Sequence, residues 1–262
     1  MSNNRIRVSE TFLSLEGEGM LAGAPTFFVR TYGCNLTCSK FNNPEGLPIT
    51  FEKTLDLSNA KFDRGCDTPY AWHPAFKQNT TTYSIEEMAQ HILDNMGQAR
   101  VVSFTGGEPL LWASQIAKVI HLVSDKVDCL FLIETNGTKP IPEDFPDVVF
   151  AISPKLSNSG EQDKLDPEAT KTLMGWSHTH LFKFVCDGSD ENLEEVHAFL
   201  ASVGFGTEDA RTQPLQVYLM PEGSTPEQQL EVQSKVVAQC LKHGFSFSQR
   251  LHLQLFGNTV GT

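Results

Sequence analysis

The stretch Val101–Pro109, VVSFTGGEP, decides how this chain is interpreted. Its first four residues form a short apolar run, which predicts a buried β-strand. The glycine pair that follows predicts a tight turn, because glycine lets main-chain groups approach a ligand closely. Residues 110–123 then show helical periodicity. A strand that ends in a glycine-rich turn and leads into a helix is typical of α/β proteins.

The same alternation of strand and helix runs along most of the chain. Ser84 and Glu87 form a capping box at the start of the first predicted helix. Predicted helices lie at 84–93, 110–123, 166–175, 191–203 and 225–243. Predicted strands lie at 26–31, 101–104, 130–133, 148–152, 181–185, 216–219 and 251–256. This alternation predicts parallel strands joined by crossover helices, with polar residues collected at the carboxyl ends of the strands.

One link is too short for a regular barrel. Only 14 residues, three of them prolines, join the strand that ends at Ile133 to the strand that begins at Val148. A full crossover helix hardly fits in that length. We therefore expect an α/β fold in the form of an incomplete, TIM-like βα barrel with fewer than eight units. We expect a single domain over residues 1–262.

Composition and charge exclude several classes of function. The chain has 262 residues and a net charge of −12, and it shows no stripe of Lys and Arg of the kind that nucleic-acid binding requires. No window approaches the run of about 18 apolar residues that a membrane span needs, and we see no signal peptide. We expect a cytoplasmic protein, in which grouped cysteines indicate a metal site or catalysis rather than disulfides.

Three of the six cysteines are grouped after one predicted strand. Cys34 and Cys38 lie on one loop, and Cys66 follows after 27 intervening residues. Three thiolates suit an iron–sulfur cluster that keeps one iron open, whereas a structural zinc ion usually takes four protein ligands. Spacing alone leaves open a cluster, a zinc site or unpaired core cysteines. The other three lie singly in apolar stretches and are expected to be buried: Cys129, Cys186 and Cys240.

The cysteine loop resembles that of radical S-adenosylmethionine (SAM) enzymes. Residues 33–41 read GCNLTCSKF, with Phe41 where the usual Cys-x3-Cys-x2-Cys motif has its third cysteine. Residues 66–72, CDTPYAW, resemble the segment that follows this cysteine in the 7-carboxy-7-deazaguanine synthase family. The resemblance implies a partial barrel of the radical SAM type. It also implies that Cys66 is a displaced third ligand of a [4Fe–4S] cluster, with an insertion at about 39–65.

Other segments resemble the same family along nearly the whole chain. They are LSLEGEG at 13–19, FVR at 28–30, TGGEP at 105–109, ETNGT at 134–138, SPK at 153–155 and RLHLQLFGN at 250–258. The resemblance implies substrate contacts by Glu16 (which replaces the usual glutamine), Glu18, Arg30, Thr105 and His252. It implies SAM contacts by Gly106, Gly107, Glu108, Thr135, Asn136, Ser153 and Lys155.

The resemblance also implies a reaction and its partners. In the family, a reduced cluster cleaves SAM, and the radical takes hydrogen from 6-carboxy-5,6,7,8-tetrahydropterin. The pterin ring contracts with loss of ammonia to 7-carboxy-7-deazaguanine, a queuosine precursor. Mg²⁺ assists and would contact Thr68, an oxygen ligand of the kind this ion prefers. A homodimer and an electron donor such as flavodoxin or ferredoxin are implied as well.

Two other interpretations stay open at this point. A glycyl-radical enzyme activase also has a Cys-x3-Cys loop, but it acts on a large protein and should lack the two terminal segments that resemble pterin contacts. A non-catalytic zinc or iron–sulfur module would need no SAM-binding turn such as that at residues 105–109.

Overall fold

The computed structural model describes residues 4–52, 56–57, 60–177, 179–205 and 216–262. The strands in these ranges are β1 (Arg5–Leu15), β2 (Pro25–Thr31), β3 (Thr81–Ser84), β4 (Val101–Gly106), β5 (Leu130–Thr135), β6 (Val149–Ile152), β7 (Thr179–Cys186), β8 (Val217–Pro221) and β9 (Ser246–Phe247). The helices are α1 (Ile85–Asn95), α2 (Ala113–Ser124), α3 (Pro167–Trp176), α4 (Asp190–Ser202), α5 (Pro226–His243) and α6 (Leu251–Phe256).

These strands form one sheet in a mixed α/β fold. Their order is β3-β1-β2-β4-β5-β6-β7-β8-β9. From β2 through β9 each neighbouring pair is parallel, whereas β1 is antiparallel to both β2 and β3. The predicted parallel strands with crossover helices are thus confirmed. Because parallel strands end at the same edge of a sheet, the loops that follow β2 and β4 to β8 lie side by side.

Alternate residues of each central strand serve opposite faces of the sheet. In β6, Phe150 and Ile152 belong to the main core, which all of α1 to α5 cover. Val149 and Ala151 point the other way, into a smaller apolar cluster with Leu132 and other strand residues. Strands that are covered on both faces have nearly continuous apolar sequences, as β4 and β6 do. The helices lie on one face, and the other face carries the smaller apolar cluster and, towards the strand ends, polar groups such as Lys183.

Local sequence signals set the helix ends. Ser84 and Glu87 form the predicted capping box at the start of α1. Pro226 occupies the first turn of α5, and Gly244 ends that helix with a left-handed φ of 74°. No described helix is both long enough and apolar enough to cross a membrane.

The short link between β5 and β6 is confirmed as an exception to the alternation. Residues 136–148, all of which the structure describes, contain no helix. Phe145 and Val148 are buried in the main core instead. The link covers the core with side chains because it has too few residues for a crossover helix.

The predicted strand at 251–256 is wrong, because these residues form the short helix α6. Leucines at every second position suggested a strand, yet only Leu253 of the segment is buried. The last place in the sheet is taken by β9, which pairs with β8. The main chain of Leu251 then turns away and donates to the carbonyl of Gly17 at 2.9 Å. Strands β1, β3 and β9 were not predicted.

The described residues of the segment 39–65 pack by side chains rather than by strand pairing. Residues 49–52 alternate in polarity as a strand would, but they form none. The Phe51 ring packs instead against Phe62 and Phe76, at ring-centroid distances of 5.8 and 5.3 Å. Together with Tyr70 these rings form a second apolar cluster, separate from the main core.

The position of the core generates a test. Leu193 in α4 is 1% exposed, whereas Leu241 in α5 is 82% exposed. We expect Leu193→Ala to lower the free energy of unfolding by about 2–5 kcal/mol, since it removes buried methyl groups and leaves a cavity. Leu241→Ala is the matched control and should change it by no more than about 0.5 kcal/mol. Urea unfolding followed by circular dichroism measures both; equal effects would contradict this placement of the core.

Candidate active site

One pocket lies at the carboxyl ends of the parallel strands. Of the sixteen site residues predicted from the sequence, all except Glu108 border it. They come from the ends of β2, β4 and β5, from the loops that follow β1, β2, β4, β5 and β6, and from α6. They are Glu16, Glu18, Arg30, Cys34, Cys38, Cys66, Thr68, Thr105, Gly106, Gly107, Thr135, Asn136, Ser153, Lys155 and His252. Residues that are far apart in the sequence are therefore neighbours around a single cavity.

The three grouped cysteines face this pocket as free thiols. The main-chain N–H of Leu36 donates to Cys34 Sγ at 3.4 Å, and Cys66 Sγ lies 3.6 Å from Thr68 Oγ1. Burial raises the pKa of Cys34 to about 12, and it raises the pKa values of Cys38 and Cys66 as well. The thiols are therefore protonated at neutral pH, and any metal that binds them must displace their protons.

The arrangement suits a cluster of several irons. Within the ranges that the structure describes, no three His, Cys, Asp or Glu side chains converge on one metal ion. A cluster does not ask for such convergence, because its thiolates bind different irons. Thiolates are also the ligands that iron–sulfur clusters prefer. The donor set therefore fits a cluster that is held by Cys34, Cys38 and Cys66.

The glycine turn after β4 packs directly against the cysteine loop. A β-carbon on Gly107 would overlap the carbonyl oxygen of Gly33 and would lie 2.8 Å from Cys34 Cβ. Gly106 has a φ of 138°, and a β-carbon there would overlap the main chain of Thr31. Both positions need glycine, because the two loops approach each other too closely for any side chain.

Glu108 lies outside the pocket lining, although the sequence resemblance implies a contact with SAM for it. Its side chain is fully buried. Oε1 accepts from Thr135 Oγ1 at 2.7 Å and from the N–H of Leu110 at 2.9 Å. Oε2 accepts from the N–H of Asn136 at 2.7 Å. Since both oxygens are occupied by internal donors, the carboxylate ties the end of β5 to the turn after β4.

The loops after β5 and β6 carry polar groups into the same pocket. Asn136 Nδ2 donates to Asn35 Oδ1 at 3.1 Å, which links this loop to the cysteine loop. Lys155 Nζ donates to Ser153 Oγ at 2.6 Å and to the Ser153 carbonyl at 3.0 Å. These contacts hold the amide, hydroxyl and ammonium groups along one wall.

A buried ion network forms the opposite part of the pocket. Lys183 Nζ lies 2.8 Å from Glu18 Oε2 and 2.6 Å from Glu134 Oε1. Arg250 Nε lies 2.9 Å from Glu18 Oε1, and Arg250 Nη2 lies 2.5 Å from Asp67 Oδ2. Burial alone would raise the pKa of Glu18, but Lys183 and Arg250 bring it well below its ordinary value. Glu18 is therefore ionised at neutral pH.

Of the residues in this network, only Glu18 was predicted from the sequence as a site residue. The sequence does carry a signal for Lys183, which lies inside the apolar strand LFKFV. The alternation of side chains along a strand places it on the face away from the helices. A lysine at such a position is rarely buried without a partner. Arg250 and Asp67 carry no comparable local signal.

Glu16 differs from its neighbour Glu18 in protonation. It is 3% exposed, and its Oε1 accepts from the N–H groups of Gly17 and Glu18 at 3.0 and 3.3 Å. Its Oε2 is buried and has no hydrogen-bonding partner in the described part of the chain. Burial and the nearby charge of Glu134 raise the pKa of Glu16 to about 8. Glu16 is therefore mainly a neutral acid at pH 7.

His252 packs against the main chain of Gly17, where a β-carbon would overlap its Nδ1. Burial and the charge of Arg250 lower the pKa of His252 to about 4. Its ring is therefore neutral at physiological pH. A neutral imidazole can both donate and accept a hydrogen bond.

Strand register builds an aromatic and cationic wall on the same side of the pocket. Phe12 of β1 lies directly opposite Phe28 of β2, and the two rings stack with centroids 4.9 Å apart. Glu10 lies opposite Arg30, and Arg30 Nε is 2.7 Å from Glu10 Oε1. The Arg30 guanidinium also lies over the rings of Phe12 and Tyr70, at 5.6 and 5.8 Å. This wall suits a flat ring system that carries an anionic group.

The neutral state of Glu16 has a measurable consequence for stability. The folded state holds this proton more tightly than the unfolded state, in which the ordinary pKa is 4.5. The contribution of Glu16 to stability is therefore complete below about pH 4.5 and is lost as the pH rises towards 8. Glutamine has no proton to lose, so Glu16→Gln should become more stable relative to the wild type over this range, by an amount on the order of a few kcal/mol.

Thermal and urea unfolding at pH 5, 6, 7 and 8 measure this difference. Glu143→Gln, at an exposed position, is the control for the removal of a carboxylate. A difference between Glu16→Gln and the wild type that stays constant from pH 5 to pH 8 would show that Glu16 is already ionised at the low end of the range.

This chain is similar to several known proteins. Residues 15–140 match the family described as a 4Fe-4S single cluster domain. A crystal structure of QueE from Escherichia coli has a similar fold, with a TM-score of 0.64, 20% identity and 95% of each chain covered. The 7-carboxy-7-deazaguanine synthase of Pyrobaculum aerophilum is 31% identical over 98% of this chain and 97% of its own length.

The 7-carboxy-7-deazaguanine synthase of Rhodopirellula baltica is 30% identical over 100% of this chain and 90% of its own length. That of Halobacterium salinarum is 29% identical over 97% of this chain and 92% of its own length. The resemblance that the sequence motifs indicated is thus confirmed over nearly the full chain. On these grounds, the chain belongs to the 7-carboxy-7-deazaguanine synthase family.

Proposed function

We propose that this protein is a radical SAM enzyme that converts 6-carboxy-5,6,7,8-tetrahydropterin to 7-carboxy-7-deazaguanine with loss of ammonia, a step towards queuosine. One observation carries the proposal: the three thiols, the glycine turn and the aromatic and cationic wall all border the same pocket. Membership of the synthase family supports the same reaction. The fold would be the partial TIM-like barrel of radical SAM enzymes, which the parallel strands and the single helical layer support.

The cysteine side of the pocket would hold the cofactors. Cys34, Cys38 and Cys66 would bind a [4Fe–4S] cluster, which with SAM supplies a carbon-centred radical when both are bound. Around SAM, the main chain of Gly106 and Gly107 offers close approach. The polar side chains along the neighbouring wall offer hydrogen bonds: Thr135, Asn136, Ser153 and Lys155. These residues bind and orient; the chemistry belongs to the cofactors.

Glu108 has a different role in this proposal from the one its motif suggested. Its carboxylate accepts hydrogen bonds from Thr135, Asn136 and Leu110, and it does not border the pocket. It would act by holding Thr135 and Asn136 in place. We therefore propose Glu108 as a positioning residue.

The opposite side of the pocket would bind the pterin. Arg30 would meet the carboxylate of the substrate, because its guanidinium combines a fixed charge with a planar array of donors. The stacked pair Phe12 and Phe28 would lie along one side of the flat ring. The remaining contacts would come from Glu16, Glu18, Thr105 and His252. Ionised Glu18 accepts hydrogen bonds, whereas neutral His252 can donate or accept.

Neutral Glu16 fits a position where the family usually has glutamine. A protonated carboxyl has one acceptor oxygen and one O–H donor, and a glutamine amide likewise offers an acceptor and a donor group. The acceptor of Glu16 is used by the N–H groups of Gly17 and Glu18. The substitution therefore preserves the pattern of hydrogen bonds while Glu16 keeps its proton.

We further propose that Thr68 contacts a Mg²⁺ ion bound with the substrate carboxylate. Its Oγ1 lies beside Cys66 at the pocket. Mg²⁺ prefers oxygen ligands and retains several waters, so a single protein oxygen is sufficient. We also propose a single domain with an insertion at 39–65, a homodimer, and an electron donor such as flavodoxin or ferredoxin.

Product analysis tests the reaction directly. We expect the anaerobically reconstituted protein, given a reductant, SAM, Mg²⁺ and the carboxypterin, to yield a product with the mass of 7-carboxy-7-deazaguanine. Tetrahydropterin without the carboxylate is the control substrate and should give little product, since it lacks the partner of Arg30. Cleavage of SAM without any deazaguanine would refute the specific reaction and leave only the enzyme class.

Cluster assembly tests the third ligand. We expect Cys66→Ala to abolish formation of the [4Fe–4S] cluster, because only two protein thiolates remain. Cys129→Ala is the matched control: Cys129 packs against the main core, far from the pocket lining. Iron content and the visible spectrum after anaerobic reconstitution measure both variants. An intact cluster in Cys66→Ala would show that another residue is the third ligand.

A further inference from the structure

The long gap in the cysteine motif poses a physical problem. Twenty-seven residues separate Cys38 from Cys66, and the end-to-end distance of a chain segment that long is not set by its length. Cys38 is held by a distant residue, because Glu161 Oε1 accepts from the N–H of Cys38 at 3.0 Å and from the N–H of Thr37 at 2.6 Å. Cys66 needs a different anchor.

Part of that anchor is a neck at the base of the segment 39–65. The N–H of Gly65 donates to the carbonyl of Phe41 at 2.7 Å. Gly65 has a φ of 70°, and a β-carbon there would lie 2.5 Å from Ile49 Cδ1. The chain between these two residues therefore leaves and returns at the same point. The neck brings Cys66 close to Phe41 along the chain path, but it does not set the direction of the Cys66 side chain.

Arg250 supplies the remaining constraint from the other end of the chain. Its Nη2 donates to Asp67 Oδ2 at 2.5 Å, its Nε donates to Glu18 Oε1 at 2.9 Å, and its Nη1 donates to the carbonyl of Gly223 at 3.0 Å. The side chain is 16% exposed. All three nitrogens of this planar group are in use, so its orientation is fixed by three separate loops.

Asp67 is the residue next to Cys66, and Glu18 is on the substrate side of the pocket. One guanidinium group thus joins the two sides. Asp67 is a partly buried carboxylate, 29% exposed, that has its ion-pair partner in Arg250. Without that partner the carboxylate would turn towards water, and the adjacent main chain of Cys66 would turn with it.

We propose that Arg250 is a positioning residue that holds Cys66 in its ligating orientation through Asp67 and, through Glu18, sets the substrate side of the pocket relative to the cysteine loop. The inference rests on the proposed ligation of a cluster by Cys66. It adds a role for two residues that border the pocket without belonging to the sets proposed to bind cofactor or substrate.

Two variants separate the two contacts. Arg250→Gln loses both, so we expect less iron per chain after reconstitution, a larger fraction of the [3Fe–4S] electron paramagnetic resonance signal, and a KM for the carboxypterin raised by about tenfold or more. Asp67→Asn weakens only the cysteine side, so it should lower the iron content and alter the signal while leaving KM within about twofold of the wild type. Arg250→Lys has a single ammonium group in place of the planar guanidinium. It should therefore restore either the iron content or the KM, but not both.

The double variant tests whether both residues act through one contact. Arg250→Gln with Asp67→Asn should lose no more iron than Arg250→Gln alone, because two residues that share one interaction are not additive. Lys242→Gln, which removes an exposed ion pair with Asp190, is the control for loss of a cation and should have a full cluster. Melting temperatures report folding independently; if Arg250→Gln does not fold, Asp67→Asn alone decides.

A full iron content and an unchanged resonance signal in Asp67→Asn overturn the proposal, and so do additive losses in the double variant. Failure of the proposed function is distinguishable from these outcomes, because the wild type itself would then assemble no cluster, or would assemble one without forming the deazaguanine.

Discussion

The ammonium group of Lys183 lies on the face of the sheet opposite the helices, between two carboxylates. Much of the site depends on this arrangement. The ammonium nitrogen is 2.6 Å from Glu134 and 2.8 Å from Glu18. A buried cation is very costly unless it is paired and hydrogen-bonded. Because β7 sets the position of Lys183, both carboxylates must lie close to it. The loop after β1 therefore lies beside the ends of β5 and β7, and the contact between Glu18 and Arg250 adds Arg250 to the network.

The same network explains how two glutamates in one short loop differ in charge. Glu18 has two cations as partners and stays ionised, whereas Glu16 accepts only main-chain hydrogen bonds and stays near Glu134 and Glu18. Burial penalises the charge on both, and only Glu18 has opposite charges close enough to offset that penalty. Together with neutral His252, the pocket therefore offers charged and neutral groups side by side. Such a mixture suits a substrate with both ring nitrogens and a carboxylate.

In the described part of the segment 39–65, tertiary contacts constrain the loop that joins two cysteines of the pocket. A short Cys-x2-Cys turn would orient its cysteines through local geometry alone. Here the Phe41–Gly65 hydrogen bond closes the base of the longer loop. Phe51 and Phe62 of the segment pack with Tyr70 and Phe76 in a second apolar cluster.

The sequence by itself determined the features with local causes: the capping box at Ser84, the close glycine turn and the short link before β6. It did not determine α6 or the place of Glu108, because an alternating pattern fits more than one structure and a motif does not say where a carboxylate points. Lys183 and Arg250 acquire their importance only from partners up to 232 residues away. Burial and charge pairing across such separations are set when the strands assemble, so only the tertiary structure decided them.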